Sequence, residues 1–474
     1  MRRRNNIWVA FILCSVAQVC AAQDTLTLSH GEFLSIVKRF HPLSLQYKLQ
    51  NEIARSELRK AKGNFDPLLA AKSGSKTIDG TDYYQQHNIG VEIPTWYGIE
   101  LNGNYNYLEG ERLNNNDTKG GLYQFGLSIP LSKNLLYDKR RAVLDQARFA
   151  LSMTTAQQQV LNSELLRDAE IVYWDWVKCY EIYKIQKHAV AINKKRLHMI
   201  QKSFDYGERA AVDTTEALSQ LMAFELEQQD AYLKFVNATM VLSLYLWKDK
   251  ESPFDTTSPI LPSDTLDSNS AYTDFLSLTR QLNVHPINTH LSLVYYQDKQ
   301  KILESERRLK WQNFLPKIDF SYNFFKKERY SSTLLPLFQN NFQYGLKMEI
   351  PLFMRQARAD YSIAKMKIVQ NDLDIQVKRR ELNTKIQRYS NEVSNYRAQL
   401  DIAIQNIINY KRLLKAEETR YDNGESSLFL INTRENKVIE AQEKALDLQF
   451  KFMKSYNELK LIAAGFSSDS QYAQ

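Results

Sequence analysis

The stretch RYDNGESSLFLINTRENKVIEAQ, residues 420–442, sets a single glycine, Gly424, inside a long polar run with helical spacing. A second stretch, FDYGERAAVDTTEALSQ at 204–220, repeats that layout around Gly207. Each reads as a tight reversal between two helices, because a glycine reaches the left-handed backbone of a helix-ending turn at little steric cost. Ser426 and Ser427, with Asn432 and Thr433, are the candidate caps of the helix that follows Gly424.

Working outward from the two turns, further landmarks occur twice, as in an internal duplication. His41-Pro42 matches His285-Pro286, Asn64-Phe65-Asp66-Pro67 matches Asn313-Phe314-Leu315-Pro316, and FGLSIPL at 125–131 matches YGLKMEIPL at 344–352. Pro130 lies 77 residues before Gly207 and Pro351 lies 73 before Gly424, a difference of about one helical turn.

Between strand and turn the pattern is helical. Leu382, Ile386, Tyr389, Val393, Tyr396, Leu400, Ala403, Ile407, Tyr410 and Leu414 alternate steps of four and three, a heptad seam of the coiled-coil kind. Leu161, Leu165, Ala169, Val172, Trp176, Cys179, Tyr183, Val190 and Leu197 give a rougher version in the first half. A helix of about 65 residues is about 100 Å long, too long for one globular core, so such helices must pack along one another.

Before each helix lie alternating segments. In 97–108 Ile99, Leu101, Tyr105 and Tyr107 oppose Glu100, Asn102, Asn104 and Asn106; in 317–325 Ile318, Phe320, Tyr322 and Phe324 oppose Asp319, Ser321 and Asn323. In 342–352 Phe342, Tyr344, Leu346, Met348 and Ile350 oppose Gln343, Gly345, Lys347 and Glu349. One aromatic-aliphatic face and one charged face suit a transmembrane barrel with a wet interior, although a half-buried soluble sheet has the same period. The clear strands are 84–94, 98–108, 119–131, 317–325 and 342–352, with 67–77 weaker. Four to six strands cannot enclose a channel, so the barrel must be shared between subunits.

The chain opens with Arg2, Arg3 and Arg4, an apolar run from Ile7 to Val19, and Cys20-Ala21-Ala22, the layout of a secretory signal cut after Ala22. Val19 stands where a lipoprotein signal needs a small residue, which argues against lipidation of Cys20. Without the signal only Cys179 remains, so no internal disulfide is expected. The net charge of +8 falls to +5 without the three arginines, and no basic block marks a nucleic-acid partner. Only 15 glycines and 11 prolines occur in 474 residues, so elements are long and turns few. No later stretch has the ~18 apolar residues of a spanning helix. The Pro, Ser, Asp and Thr-rich segment 246–272 reads as a surface connection between the halves.

The domain reading is therefore a signal at 1–22, a first repeat at 23–245, a linker or equatorial segment at 246–272, a second repeat at 273–466 and a flexible tail at 467–474. The first repeat holds strands about 67–131 and long helices about 138–204 and 213–245; the second holds strands about 316–352 and helices about 355–420 and 432–464. The fold class is mainly α with a transmembrane β-barrel part. No catalytic constellation appears: His30, His41, His87, His188, His198, His285 and His290 lack metal-ligand spacing, and there is no phosphate loop or nucleophile elbow. No enzyme activity, metal or cofactor is expected.

NFDPLL at 64–69, SIPLSKNLLYDKRRAVLDQAR at 128–148, EIPLFMRQARADYSIAK at 349–365 and the opening stretch at 420–442, in this order and spacing, resemble the TolC-like outer-membrane factor family over nearly the whole mature chain. The resemblance implies a homotrimeric α/β-barrel tunnel in the outer membrane with a long periplasmic extension. It implies four strands per subunit and a twelve-stranded wall, whereas the sequence alone also allows six and eighteen. It further implies that the turns meet a periplasmic adaptor (membrane fusion) protein serving an inner-membrane RND-type pump or ABC exporter. The contact residues would be Tyr206, Gly207, Glu208, Tyr421, Gly424, Glu425, Ser426, Ser427 and Leu428. Arg412, Lys415, Glu417 and Glu418 occupy the neighbourhood of the family's periplasmic gate but form no pure carboxylate ring. Glu100, Asn102, Asn104, Asp319, Asn323, Lys347 and Glu349 would face the barrel lumen, with lipid outside. The expected function is a passive exit duct in tripartite efflux or type I secretion. The rival reading is a periplasmic coiled-coil spacer or adaptor without a membrane barrel.

Overall fold

The computed structural model describes residues 26–114, 117–249, 252–254, 260–266, 268–284, 286–327 and 341–466. The expected signal at 1–22, the tail at 467–474 and His285 lie outside the described residues. In chain order the elements are β1 (Leu26–Leu28), α1 (His30–Phe40), α2 (Pro42–Gly63), β2 (Leu68–Ile78), β3 (Thr81–Pro94), β4 (Glu100–Glu109), β5 (Gly120–Pro130) and α3 (Lys139–Asp205). They continue with α4 (Ala211–Ser243), β6 (Ile260–Pro262), α5 (Ser268–Val284), α6 (Leu291–Trp311), β7 (Lys317–Lys327), β8 (Phe342–Glu349), α7 (Arg355–Asp422) and α8 (Leu428–Ala464). The long helices α3 and α7 run for 67 and 68 residues.

Two compact units result, and each draws on both halves of the sequence. One comprises the chain up to Tyr47, Gln159–Ile287 and everything from Glu381 onward; the other comprises Lys48–Gln158 and Asn288–Arg380.

The first unit is helical and holds the main core. Trp176, Tyr173, Phe33, Phe452, Leu242 and Leu459 are fully buried in it. The buried Trp176 indole meets its hydrogen-bonding need by donating to Thr239 Oγ1 at 2.9 Å. The seam behaves as its spacing demands: Leu382, Tyr389, Val393 and Leu400 are buried, and the positions between them in the heptad are half-buried. Burial pushes the Cys179 thiol up, as suits a small packing residue.

Segment 246–272 is not merely a surface connection. Leu246, Ile260, Leu266 and Ala271 are buried, β6 pairs in parallel with β1, and α5 already begins at Ser268. Isolated apolar residues in a polar stretch act as anchors here, a pattern that composition averages away.

The duplication also needs a corrected register at its histidines. His41 adopts φ −63° and ψ 129°, and its Nδ1 accepts from the Leu43 amide at 3.2 Å. His290 adopts φ −63° and ψ 132°, and its Nδ1 accepts from Ser292 at 3.1 Å. Both stand 23 residues before the Asn-Phe pair that precedes the strands. His290, not His285, is the counterpart of His41; the side chain starts a helix in each case, and the shared proline was a coincidental cue.

The second unit contains one antiparallel sheet in the order β2-β3-β4-β5-β7-β8. Of the two strand counts left open by the sequence, the described residues give six in this sheet. The segment expected to be weak is an eleven-residue edge strand, β2, fully paired with β3. Ala61, Phe65 and Leu144 form a small core beside the sheet.

Candidate functional site

The register of the sheet sorts its side chains by chemistry. One row across it runs Leu69, Val91, Gly103, Phe125, Phe324 and Phe342; the next on that face runs Ile93, Leu101, Leu127, Tyr322 and Tyr344. The opposite face has the row Glu92, Asn102, Gly126, Asn323 and Gln343. All seven expected lumen residues, Glu100, Asn102, Asn104, Asp319, Asn323, Lys347 and Glu349, fall on this polar face. Its charges largely neutralise one another: Arg140 meets Glu100 at 2.6 Å, Lys317 meets Asp319 at 3.3 Å and Lys347 meets Glu349 at 2.7 Å. Gly126 leaves the space that the Asn102 and Asn323 amides fill, since a Cβ there would overlap both.

The stagger of the sheet fixes its tilt. The row that starts at Leu68, the first residue of β2, reaches β7 at Asn323 and β8 at Gln343, each six residues in from the helix-side end of its strand. A climb of six residues over five steps, at about 3.4 Å per residue and about 4.8 Å between strands, corresponds to about 40°. The helix-side ends therefore lie level only if the strands tilt by about 40°, within the range of membrane barrels. Along those same ends stand exposed apolar side chains: Trp96, Tyr97, Leu136, Trp311, Leu352 and Phe353. Aromatic and bulky residues collect in this way where a barrel wall meets the lipid headgroups.

At the other candidate site, in the first unit, the two turns share one geometry. Gly207 has φ +77° and Gly424 φ +78°. Gly207 donates to Phe204 O and Glu208 to Ser203 O; Gly424 donates to Tyr421 O and Glu425 to Arg420 O. Both are the six-to-one and five-to-two bonds that close a helix through a left-handed residue. The expected side-chain caps do not form. Ser427 occupies the N-cap of α8 without a side-chain bond, Ser426 donates to Glu417, Asn432 donates to Glu216 and Thr433 donates to Phe429 O. The carboxylates of Glu417 and Glu216 engage Ser426 and Asn432 instead, as charged acceptors for their side-chain donors.

Residues 299–465 match the family model described as outer membrane efflux protein. That segment is similar to the family. The fold of the chain is also that of solved outer-membrane channels. The Campylobacter jejuni CmeC outer membrane channel is 14% identical with a TM-score of 0.63, over 93% of this chain and 86% of that one. The open state of the Neisseria gonorrhoeae MtrE outer membrane channel is 14% identical at 0.63, over 93% and 90%. The outer membrane protein VceC of Vibrio cholerae is 13% identical at 0.63, over 92% and 96%. No curated protein sequence matches the chain. The family match covers about a third of the chain, and the likeness to these channels is one of fold.

The expected tip residues divide. Tyr206 is 80% exposed, and Gly207, Glu208, Gly424, Glu425 and Ser427 are exposed too, with Ser426 half-buried. Leu428 is buried with Ile200 and Ala217, and Tyr421 packs beside them under the Arg209 guanidinium, 4.3 Å from its ring centre. These two hold the tip from inside. Phe204, Val212 and Phe429 are exposed there instead, and the sequence reading passed over them. The step from Leu428 to Phe429 was the available cue, because neighbours on a helix cannot share one face. Of the gate candidates, Arg412, Lys415 and Glu418 are exposed. Glu417 is buried, accepts from Ser426 at 2.6 Å and lies 3.6 Å from Arg420 and 3.8 Å from Arg434, so it ties the turn to its helix.

The helix that follows the Gly207 turn also leaves an apolar stripe open. Leu218, Met222, Leu226, Leu233 and Met240 line one side of α4, mostly at steps of four and seven, each at least 41% exposed. Among the described residues no helix is long and apolar enough to cross a membrane, and no cluster of three or more His, Cys, Asp or Glu could hold a metal.

Proposed function

We propose that the chain, as a homotrimer, forms the outer-membrane channel-tunnel of a tripartite efflux or type I secretion system. The sheet contributes to a barrel in lipid, and the long helices extend into the periplasm. The turns at Gly207 and Gly424 receive a periplasmic adaptor protein, which links the duct to an RND-type pump or an ABC exporter in the inner membrane. The duct is passive, with energy supplied by the pump. The observation that supports this best is the sorting of apolar and polar side chains onto opposite faces over β3, β4, β5, β7 and β8, reaching β2 only at Leu69 and Ala71, because a soluble sheet has no reason to expose so much apolar surface.

Transport requires the tip to open, with a partner supplying the differential binding energy. The exposed Tyr206, Phe204, Val212 and Phe429 are the surface on which the adaptor would act. Arg412, Lys415 and Glu418 are the exposed charges available to a gate of mixed sign.

Two measurements on the full chain test this reading. Membranes of an expressing cell should hold the protein as an oligomer that resists detergent extraction and migrates as a monomer only after heating; release by osmotic shock would instead favour a periplasmic spacer. Cysteines that lock neighbouring tips, introduced at Tyr206 and Phe429, should abolish export, and unchanged export with the lock formed would refute the gating role.

A further inference from the structure

We infer that the membrane wall is an eighteen-stranded ring in which β8 of each copy pairs with β2 of the next. This rests on the homotrimer proposed above and departs from the twelve strands that the family resemblance implies.

The hairpin that makes the difference, β2 with β3, is fully part of the sheet. β3 pairs with β4 from Gln85–Glu109 to Pro94–Glu100, and β2 pairs with β3 from Leu68–Glu92 to Ile78–Thr81. Detaching it to expose β4 would break a continuous ladder. Among the described residues, the outer edges of β2 and β8 pair with no strand. In lipid such an edge is costly, because each unpaired backbone group lacks both water and a partner.

A second copy is the occupant that fits. Six antiparallel strands leave β2 and β8 running in opposite directions, so head-to-tail placement joins them antiparallel at every junction. The faces also continue: outward on β8 are Phe342, Tyr344, Leu346 and Met348, and outward on β2 are Leu69 and Ala71. A tilt of about 40° is that of a sheet able to close in this way. Diameter grows about linearly with strand number, so the bore is about half as wide again as one of twelve strands.

The experiment uses the full chain in a Cys179→Ala background. Tyr344→Cys on β8 is combined in turn with Leu69→Cys, Ala71→Cys or Ser73→Cys on β2, and separately with Leu101→Cys, Gly103→Cys or Tyr105→Cys on β4. Oxidation in membranes should link copies into dimers and trimers for at least one β8–β2 pair and for none of the β8–β4 pairs. Linkage from β8 to β4 overturns the ring, as does silence of every β8–β2 pair while an amine cross-linker still captures trimers. Absence of trimers with the amine cross-linker fails the homotrimer itself, which separates the two proposals. Because a cysteine pair could disturb assembly, strands are also counted in an image of the unmodified protein: eighteen supports the ring and twelve overturns it.

Discussion

A Cβ at Gly424 or Gly207 would meet no atom within 4 Å, so whatever a substitution costs there comes from the backbone. With φ near +78°, Gly424→Ala should destabilise the turn by about 1–2 kcal/mol and Gly424→Asn by less. Hydrogen exchange at the Glu425 amide, which the turn protects, should accelerate about tenfold or more in the alanine variant. Glu417→Ala removes the acceptor of Ser426 and leaves Arg434 without its nearby carboxylate; a loss of about 1–3 kcal/mol is expected, read as a lower melting temperature. His30 titrates with a sign that can be worked out. Its ring lies 5.3 Å from that of Tyr173 and 5.0 Å from that of Trp174, and burial lowers its pKa below 6.5, outweighing Glu170, with Lys460 adding to the effect. The unfolded chain takes up a proton there that the folded one refuses, so stability falls as pH drops below about 6.5. Thermal melts at pH 7.5 and 5.5 should show a smaller difference in His30→Gln.

For the strands, the two faces of β5 make the sharpest comparison. Phe125→Arg places a charge in the apolar row and should cost about 2–4 kcal/mol if that row meets lipid. Gln124→Arg, one residue away on the polar face, should be tolerated. Equal membrane yields of the two variants would contradict a lipid-facing sheet. The same alternation was legible in the sequence at β4, β7 and β8, where aromatic and polar residues follow a period of two. It failed at β2, whose KSGSK run (residues 72–76) carries no apolar face, because an edge strand owes its place to a neighbour rather than to its own pattern. The glycine turns were legible because backbone sterics act locally. The caps were not, because Ser426 and Asn432 answer to carboxylates nine and 216 residues away in the sequence. Buried anchors in segment 246–272 were hidden for a related reason: Ile260 is held by its pairing with the distant β1.

At the scale of the molecule, what the single chain leaves open is as informative as what it buries. The heptad reading found the seams within a chain but not the second stripe on α4, since both obey similar spacing and only packing tells them apart. Met222→Glu and Leu226→Glu, at 59% and 69% exposure, should leave the chain folded yet abolish the proposed trimer. Sedimentation in detergent would register that loss, and an intact trimer in the double variant would remove α4 from the contact between copies. The polar sheet face carries a last consequence. Asn102, Asn104, Gln124, Asn323 and Gln343 dominate it, and amides neither gain nor lose protons in the physiological range. A conduit lined mainly by such groups keeps most of its polar surface unchanged between neutral and mildly acid surroundings.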